Sequence, residues 1–232
     1  MLSIIIPTLN EAASIDRVLA AVAKIEGPTE VIVVDGGSKD DTAQLVRARG
    51  VRLIESERGR GAQMQAGARA SGGEVLWFLH ADTIPPRDSL KLIAGSLSDP
   101  KVISGCFDVY FDSRRISVHF LCWFYRRLRS FGVCYGDAAI FVRREAYELV
   151  GGYKSLALFE DLDLVRRLRR YGRMARVPAA VTTSARRFER RSFALTFARW
   201  TFLQILYWLG VSPQRLNRLY APIRDAKVSR II

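Results

Sequence analysis

Residues 74–86 read EVLWFLHADTIPP. Residues 75–79 form an apolar run with β-branched and aromatic members, as in a strand buried on both faces. The run stops at His80-Ala81-Asp82, two polar side chains with one residue between them. Pro85 and Pro86 follow and bar any extension of the strand. A buried strand that delivers a carboxylate at its C-terminal tip sets how the rest of the chain is read.

Upstream, strand and helix patterns alternate. LSIII is a strand, and EAASIDRVLAAVAKIE places Ile15, Val18, Leu19, Val22 and Ile25 on one helical face, with Asn10 positioned to cap it. EVIVVD is a second buried strand. Ser38 and Asp41 fit a capping box opening the helix KDDTAQLVRARG, with Gly50 as its stop. VRLIE is a third strand, and GAQMQAGARASGG a short helix before the fourth. This rhythm predicts βαβ units and a parallel sheet. Ligands of such sheets bind beyond the carboxyl ends of the strands. Thr8, Asn10 and Glu11 follow the first strand, Asp35 ends the second, and His80 and Asp82 end the fourth. One rim therefore collects at least three carboxylates.

The second half is less regular. KVISGCFDVYF reads as a strand with one wet face, and GDAAIFVRREAYELVGGY as a strand and a short helix stopped by Gly151-Gly152. FEDLDLVRRLRRYG is a helix with Leu164, Val165, Leu168 and Tyr171 as its core stripe. RMARVPAAVTTSA gives one or two short strands, and SFALTFARWTFLQILYWLG an apolar-rich amphipathic helix.

The 232 residues suit one large domain, and the 49% hydrophobic content suffices for its core. Cys106, Cys122 and Cys134 are an odd count with no C-x-x-C pair, which argues against a disulfide framework or structural zinc and fits a reducing cytoplasm. The N-terminus reads as a first strand rather than a signal peptide. The longest apolar runs, ISVHFLCWFY and WTFLQILYWLGV, fall short of the ~20 residues of a spanning helix. The net charge of +13 suggests an anionic partner: a nucleoside diphosphate, an anionic lipid surface or nucleic acid. Solvated helix faces account for part of that charge.

Each candidate residue has a functional and a structural reading. Asp35, followed by two glycines, can accept from a ribose hydroxyl or a base NH, or cap the next helix. G-x-G-x-x-G after the first strand and G-x-x-x-x-G-K-[ST] are both absent, so bound phosphates need another source of positive charge. Asp82 can supply it by holding Mg²⁺ or Mn²⁺ beside a diphosphate, or it is a turn aspartate. His80 is a buried neutral histidine, a ribose contact or a metal neighbour. Glu160 and Asp161 open a helix, where acidic residues suit the dipole, and can hold a general base. Arg186 and Arg187 can clamp a diphosphate or are surface charge.

The order of these segments carries more than any one of them. SIIIPTLNEAASI, VIVVDGGSKDDT, GRGAQMQAGARASGGEVLWFLHADT, GDAAIFVRREAYELVGGY and FEDLDLVRRLRR resemble the motif series of the family 2 glycosyltransferases over residues 1–185. TSARRF, LYWLGVSP and LNRLYAP are similar to a subgroup of transferases associated with radical-SAM or selenodomain proteins. The resemblance implies a GT-A fold, an α/β Rossmann-like architecture with a mixed, mainly parallel sheet flanked by helices and a C-terminal helical extension. It implies a nucleotide-binding half over residues 1–110, an acceptor half over 111–190 and the extension over 191–232.

By the same resemblance, Pro7, Thr8, Asn10, Glu11 and Asp35 surround the nucleoside, and Gly61 and Gln65 lie near it. Asp82 matches the metal ligand that closes the Asp-x-Asp motif, whose first position here is His80 and whose middle is Ala81. Asp161, beside Glu160, matches the catalytic base. The implied activity is inverting transfer of a hexose from a nucleoside-diphosphate donor, UDP above all, to a hydroxyl acceptor, with Mn²⁺ or Mg²⁺ as cofactor. Asp35-Gly36-Gly37-Ser38 departs from the Asp-Asp-Gly-Ser of many members, and the Gln-x-x-Arg-Trp of processive relatives is absent, which implies one sugar per encounter.

Two other readings compete. The helix over residues 192–210 can lie on an anionic membrane surface at the inner face of the membrane, making the acceptor a polyprenyl phosphate or another lipid; it can equally pack on the core or on a second subunit of a homodimer. A non-catalytic nucleotide- or nucleic-acid-binding protein is the remote alternative. The rim carboxylates would repel a phosphate backbone, and no zinc-finger or RNP pattern is present, so no nucleic-acid partner is expected.

Overall fold

The computed structural model describes residues 1–113, 115–130, 134–186 and 193–219. Strands β1 (Leu2–Thr8), β2 (Thr29–Asp35), β3 (Arg52–Glu55), β4 (Val75–Phe78), β5 (Thr83–Ile84), β6 (Val102–Asp112), β7 (Phe141–Arg143) and β8 (Arg173–Ser184) share one sheet, in the order β3-β2-β1-β4-β7-β6-β8-β5. The first four are parallel, as the alternating strand-helix rhythm predicts, and β1, β2 and β4 carry the apolar runs while β3 lies at the edge. β7 is antiparallel to β4 and β6, and β5 to β8. The helices are α1 (Ala12–Val22), α2 (Thr42–Ala48), α3 (Arg60–Ala70), α4 (Ser89–Ser96), α5 (Ile116–Ser130), α6 (Arg144–Leu149), α7 (Glu160–Leu168), α8 (Phe193–Trp208) and α9 (Pro213–Leu219).

Strand alternation builds two cores, one on each face of the sheet. Ile4 and Ile6 of β1, Val33 of β2 and Trp77 of β4 join one cluster with Ile15, Val18 and Leu19 of α1. Ile5, Ile32, Val34, Leu76 and Phe78 join the other with Met64 and Ala68 of α3. Trp77 is fully buried, and its indole N–H donates to Ala139 O at 3.0 Å, so its one polar atom costs nothing to bury.

Chain direction positions the site. From β1 the chain moves outward to β2 and β3, then returns to set β4 on the other side of β1. The carboxyl ends of β1 and β4 therefore flank a topological switch point, the place where open α/β sheets form a crevice.

Several expected boundaries move. The fourth strand ends at Phe78 rather than at the Asp82 tip, although Leu79 N–H still donates to Ile5 O at 3.0 Å. The chain then turns, with Thr83 N–H bonded to His80 O at 3.1 Å, and β5 forms before the prolines. The expected capping box does not form. The Ser38 hydroxyl donates to Asp35 Oδ1, and α2 starts later, where Asp40 Oδ1 takes the Thr42 N–H at 3.1 Å. Nor does Asn10 cap α1: its Oδ1 accepts from Lys39 N–H at 2.8 Å and ties the first rim loop to the second. Tyr171 lies past the end of α7 and is exposed, leaving Leu164, Val165 and Leu168 as the buried stripe. RMARVPAAVTTSA forms one twelve-residue strand, supported along β6.

Candidate active site

At the tips of β1 and β2, Thr8 and Asp35 are paired in register and both buried. Asp35 accepts from the Ser38 N–H at 2.9 Å, from the Ser38 hydroxyl, and from Thr8 Oγ1 at 3.4 Å. Asp35 thus shapes the Gly36-Gly37 turn rather than capping the next helix. Gln63 of α3 braces the same place from beneath, donating to Thr8 O at 2.7 Å and Val34 O at 2.8 Å. Pro7 lies within β1, opposite Val34.

Glu11 and Asp82 meet through Arg186. Arg186 Nη2 lies 2.9 Å from Glu11 Oε2 and 3.4 Å from Asp82 Oδ2. Sheet register explains how a residue so distant in sequence arrives there. β5 runs antiparallel to β8 with Thr83 opposite Thr183, their hydroxyls 3.0 Å apart, so the end of β8 returns past Asp82. Burial works against the Arg186 charge, but its bonds to Glu11 and Asp82 outweigh that cost and raise its pKa above the ordinary arginine value. Arg187 lies outside the described residues.

This donor set bears on a metal. Two carboxylates converge on one cationic centre, which suits a hard divalent ion completed by phosphate oxygens better than a dedicated protein cage. Among the described residues no cluster of three or more His, Cys, Asp or Glu side chains is poised for a metal.

The third group centres on Gly136, in a short 3-10 turn after α5. Its N–H donates to Asp161 Oδ2, while Asp161 Oδ1 takes the Leu162 N–H at 2.8 Å. A Cβ on Gly136 would sit 3.0 Å from Asp161 Oδ2 and 3.0 Å from His80 Nε2. The imidazole at the β4 tip and the carboxylate at the start of α7 therefore face one narrow gap. Asp161 is 6% exposed and shares the Gly136 gap with His80, which stands two residues before Asp82 in the chain.

Glu160 is more deeply buried and forms an ion pair with Arg60 Nε at 2.7 Å. Burial pushes its pKa up, the Arg60 charge pulls it down, and neighbouring Asp161 adds to the rise; the net direction is upward. Gly61 lets α3 approach this corner, since a Cβ there would stand 2.2 Å from Lys154 O. Gln65 Oε1 accepts from Tyr147 Oη at 2.5 Å and from Tyr153 N–H at 3.0 Å.

Backbone strain gathers at the same place. The three non-glycine residues with positive φ among those described are Asn10 (55°), Ala139 (50°) and Phe159 (62°). They sit after β1, after the Gly136 turn and directly before Glu160-Asp161. Strain of this kind persists where surrounding structure holds a site in shape.

The residues missed from sequence are Arg60, Gln63, Tyr135 and Gly136. Arg60 is one arginine among many, and Gly136 acts through a backbone N–H, which leaves no side-chain signature.

Comparison with known proteins gives the family and the fold. The profile described as "Glycosyl transferase family 2" matches residues 3–146. The probable glycosyltransferase YdaM of Bacillus subtilis is 27% identical over 207 residues, covering 78% of this chain and 49% of that protein. The chain thus spans about half the length of that curated relative. Among solved structures, the mannosyltransferase PcManGT of Pyrobaculum calidifontis, in complex with GDP-Man and Mn²⁺, superposes with a TM-score of 0.64 at 24% identity, over 78% of this chain and 56% of that one. Glucosyl-3-phosphoglycerate synthase from Mycobacterium tuberculosis, in complex with Mn²⁺, UDP and glucosyl-3-phosphoglycerate, superposes with a TM-score of 0.56 at 21% identity, over 79% and 70%. The expected GT-A fold is the fold observed. With the family profile spanning most of the chain, from β1 through the Gly136 turn to β7, the protein belongs to glycosyl transferase family 2.

Proposed function

We propose that the chain is an inverting, non-processive glycosyltransferase that moves a hexose from a nucleoside-diphosphate donor to a hydroxyl acceptor. UDP is the carrier of first choice. The observation that carries this reading is the gap at Gly136, which brings the Asp161 carboxylate against the tip of β4. A base and a diphosphate-handling rim then serve one cleft.

In this reading the nucleoside lies over Thr8, Asn10 and Asp35 at the ends of β1 and β2. Asp82, with Glu11, would hold a divalent cation, which when bound neutralises charge on the departing diphosphate. The acceptor oxygen attacks the anomeric carbon from the face opposite the diphosphate. Its proton passes to Asp161 while the carbon–oxygen bond to the diphosphate breaks, the electron pair leaving with the diphosphate. Gly136 N–H and Leu162 N–H fix the orientation of Asp161 throughout. Arg186 contributes positive charge in the same quarter as the leaving group.

The test is Asp161→Asn, compared with wild type for transfer from UDP-glucose and for thermal shift with UDP and Mn²⁺. Transfer should fall by about 10²–10⁴-fold, the usual worth of a general base. The nucleotide-induced shift should stay. Normal turnover by Asp161→Asn would remove the assigned base.

A further inference from the structure

Helices α5 and α8 enclose a cavity of about 180 Å³. Leu121, Phe124 and Leu128 of α5 face Phe197, Trp200 and Trp208 of α8 across it. Tyr135 and Gln204 bring buried polar atoms into this largely apolar wall. Tyr135 Oη donates to Gln204 Oε1, and both residues are more than nine-tenths buried. The other end of that amide, Gln204 Nε2, is buried without a hydrogen-bond partner among the described residues. An unsatisfied buried donor is costly, and water is a poor remedy in a wall this apolar.

The cavity backs onto the catalytic corner. Tyr135 directly precedes Gly136, whose N–H holds Asp161. Trp200 packs edge-on against Phe159, 5.5 Å between ring centres, and Phe159 directly precedes Glu160 and Asp161. Outward, the cavity continues into an exposed apolar face: Trp123 of α5 and Phe202, Ile205 and Trp208 of α8 are each between 46% and 61% exposed. Its volume is below the ~300–1,000 Å³ of a site for a whole small molecule, so it suits one segment of a longer ligand.

We propose that this cavity is the acceptor subsite and that the acceptor is an amphiphilic alcohol. Its aliphatic or prenyl chain seats between α5 and α8, and its hydroxyl oxygen accepts from Gln204 Nε2 while the O–H is directed to Asp161. The proposal rests on Asp161 being the base of a glycosyl transfer.

The probe is 11-bromoundecanol, used below its aggregation concentration and read by quenching of tryptophan emission excited at 295 nm. Bromoethanol is the control for the head group alone, and 11-bromoundecyl phosphate the arm that separates an alcohol from a phosphate head. Bromoundecanol should quench saturably, at least tenfold more tightly than bromoethanol and no more weakly than its phosphate. Gln204→Leu should weaken it three- to tenfold, the worth of one hydrogen bond. Thr201→Phe, at an exposed position on the cavity edge, should weaken it tenfold or more without touching the core. UDP binding, followed by thermal shift, should be the same in all three proteins.

Linear quenching, equal quenching by bromoethanol, a clear preference for the phosphate, or indifference to both substitutions would overturn the proposal. So would concentration-dependent dimerisation that abolishes quenching, which would make this face a subunit contact. Saturable bromoundecanol binding without any UDP binding would sink the transferase reading and leave a lipid site; UDP binding without bromoundecanol binding would sink the subsite alone.

Discussion

A single guanidinium joins the first and fourth strands at the rim. Arg186 stands between Glu11 and Asp82, where the proposed mechanism needs a divalent cation. Guanidinium and metal ion therefore compete for the same carboxylates. Two unit charges 4 Å apart interact by about 4 kcal/mol near a protein surface, and partial exposure of Arg186 reduces this severalfold. Without nucleotide, Arg186→Gln should tighten Mn²⁺ binding by about tenfold, equivalent to ~1.4 kcal/mol. Asp82→Asn should weaken it by at least as much. Electron paramagnetic resonance titration of Mn²⁺ reads both, and unchanged affinity in Arg186→Gln would mean that the ion binds elsewhere. At this scale the sequence was legible where a charged side chain stands at a motif position; Arg60, one arginine among many, was not. Asp82, Asp161 and Arg186 declare themselves by type and order along the chain. Gly136 and Gln204 do not, because one works through its backbone and the other through a partner 69 residues away.

Two helical glycines separate packing from propensity. In α3, a Cβ on Gly67 would come within 2.4 Å of Ile5 Cγ2 and 2.9 Å of Val34 Cγ2, side chains of the buried parallel strands. In α4, Gly95 has nothing within 4 Å of its added Cβ. Alanine gains up to ~1 kcal/mol of helix propensity at either site. Overpacking a core costs typically ~1–3 kcal/mol. Gly67→Ala should therefore be destabilising by about 1–2 kcal/mol and Gly95→Ala stabilising by a few tenths to about 1, measured by urea denaturation. A stabilised Gly67→Ala would show that α3 can shift off the sheet. The βαβ half was legible because β1, β2 and β4 are apolar runs largely buried in the sheet and α1 carries a clear periodic stripe, while edge strand β3 and the weakly periodic α3 follow from the alternating rhythm around them. The second half was less so. β5 is two residues long and exists through its pairing with β8, and the run ISVHFLCWFY fills nearly every successive position of the first turns of α5 with apolar residues, which hides its helical period. Their structure is set by partners distant in sequence, which no local pattern carries.

For the whole molecule, acid should be destabilising except through one group. The chain carries +13, and protonating its carboxylates adds to self-repulsion. Glu30 and Asp40 follow the usual course. Each is penalised by burial, but hydrogen bonds from Ser3, Gly72 and Gly73 to Glu30, and from Thr42 and Ala12 to Asp40, leave both pKa values lowered. Their contribution is complete above the ordinary carboxylate range and is lost as pH falls through the folded values. Glu160 runs the other way, because burial raises its pKa despite Arg60. Here the folded state binds the proton more tightly than the unfolded state. Stability from this group is complete below the ordinary value of 4.5 and declines as pH rises toward the folded pKa. Glu160→Gln removes that slope. Loss of the Arg60 ion pair adds an offset in the variant, and the slope carries the information. The melting temperature of Glu160→Gln minus that of wild type should therefore climb with pH from about 4.5 upward and then level off. A difference that stays flat, or falls, across this window would mean that Glu160 is charged in the folded protein as readily as in water, and that Arg60 fully offsets its burial.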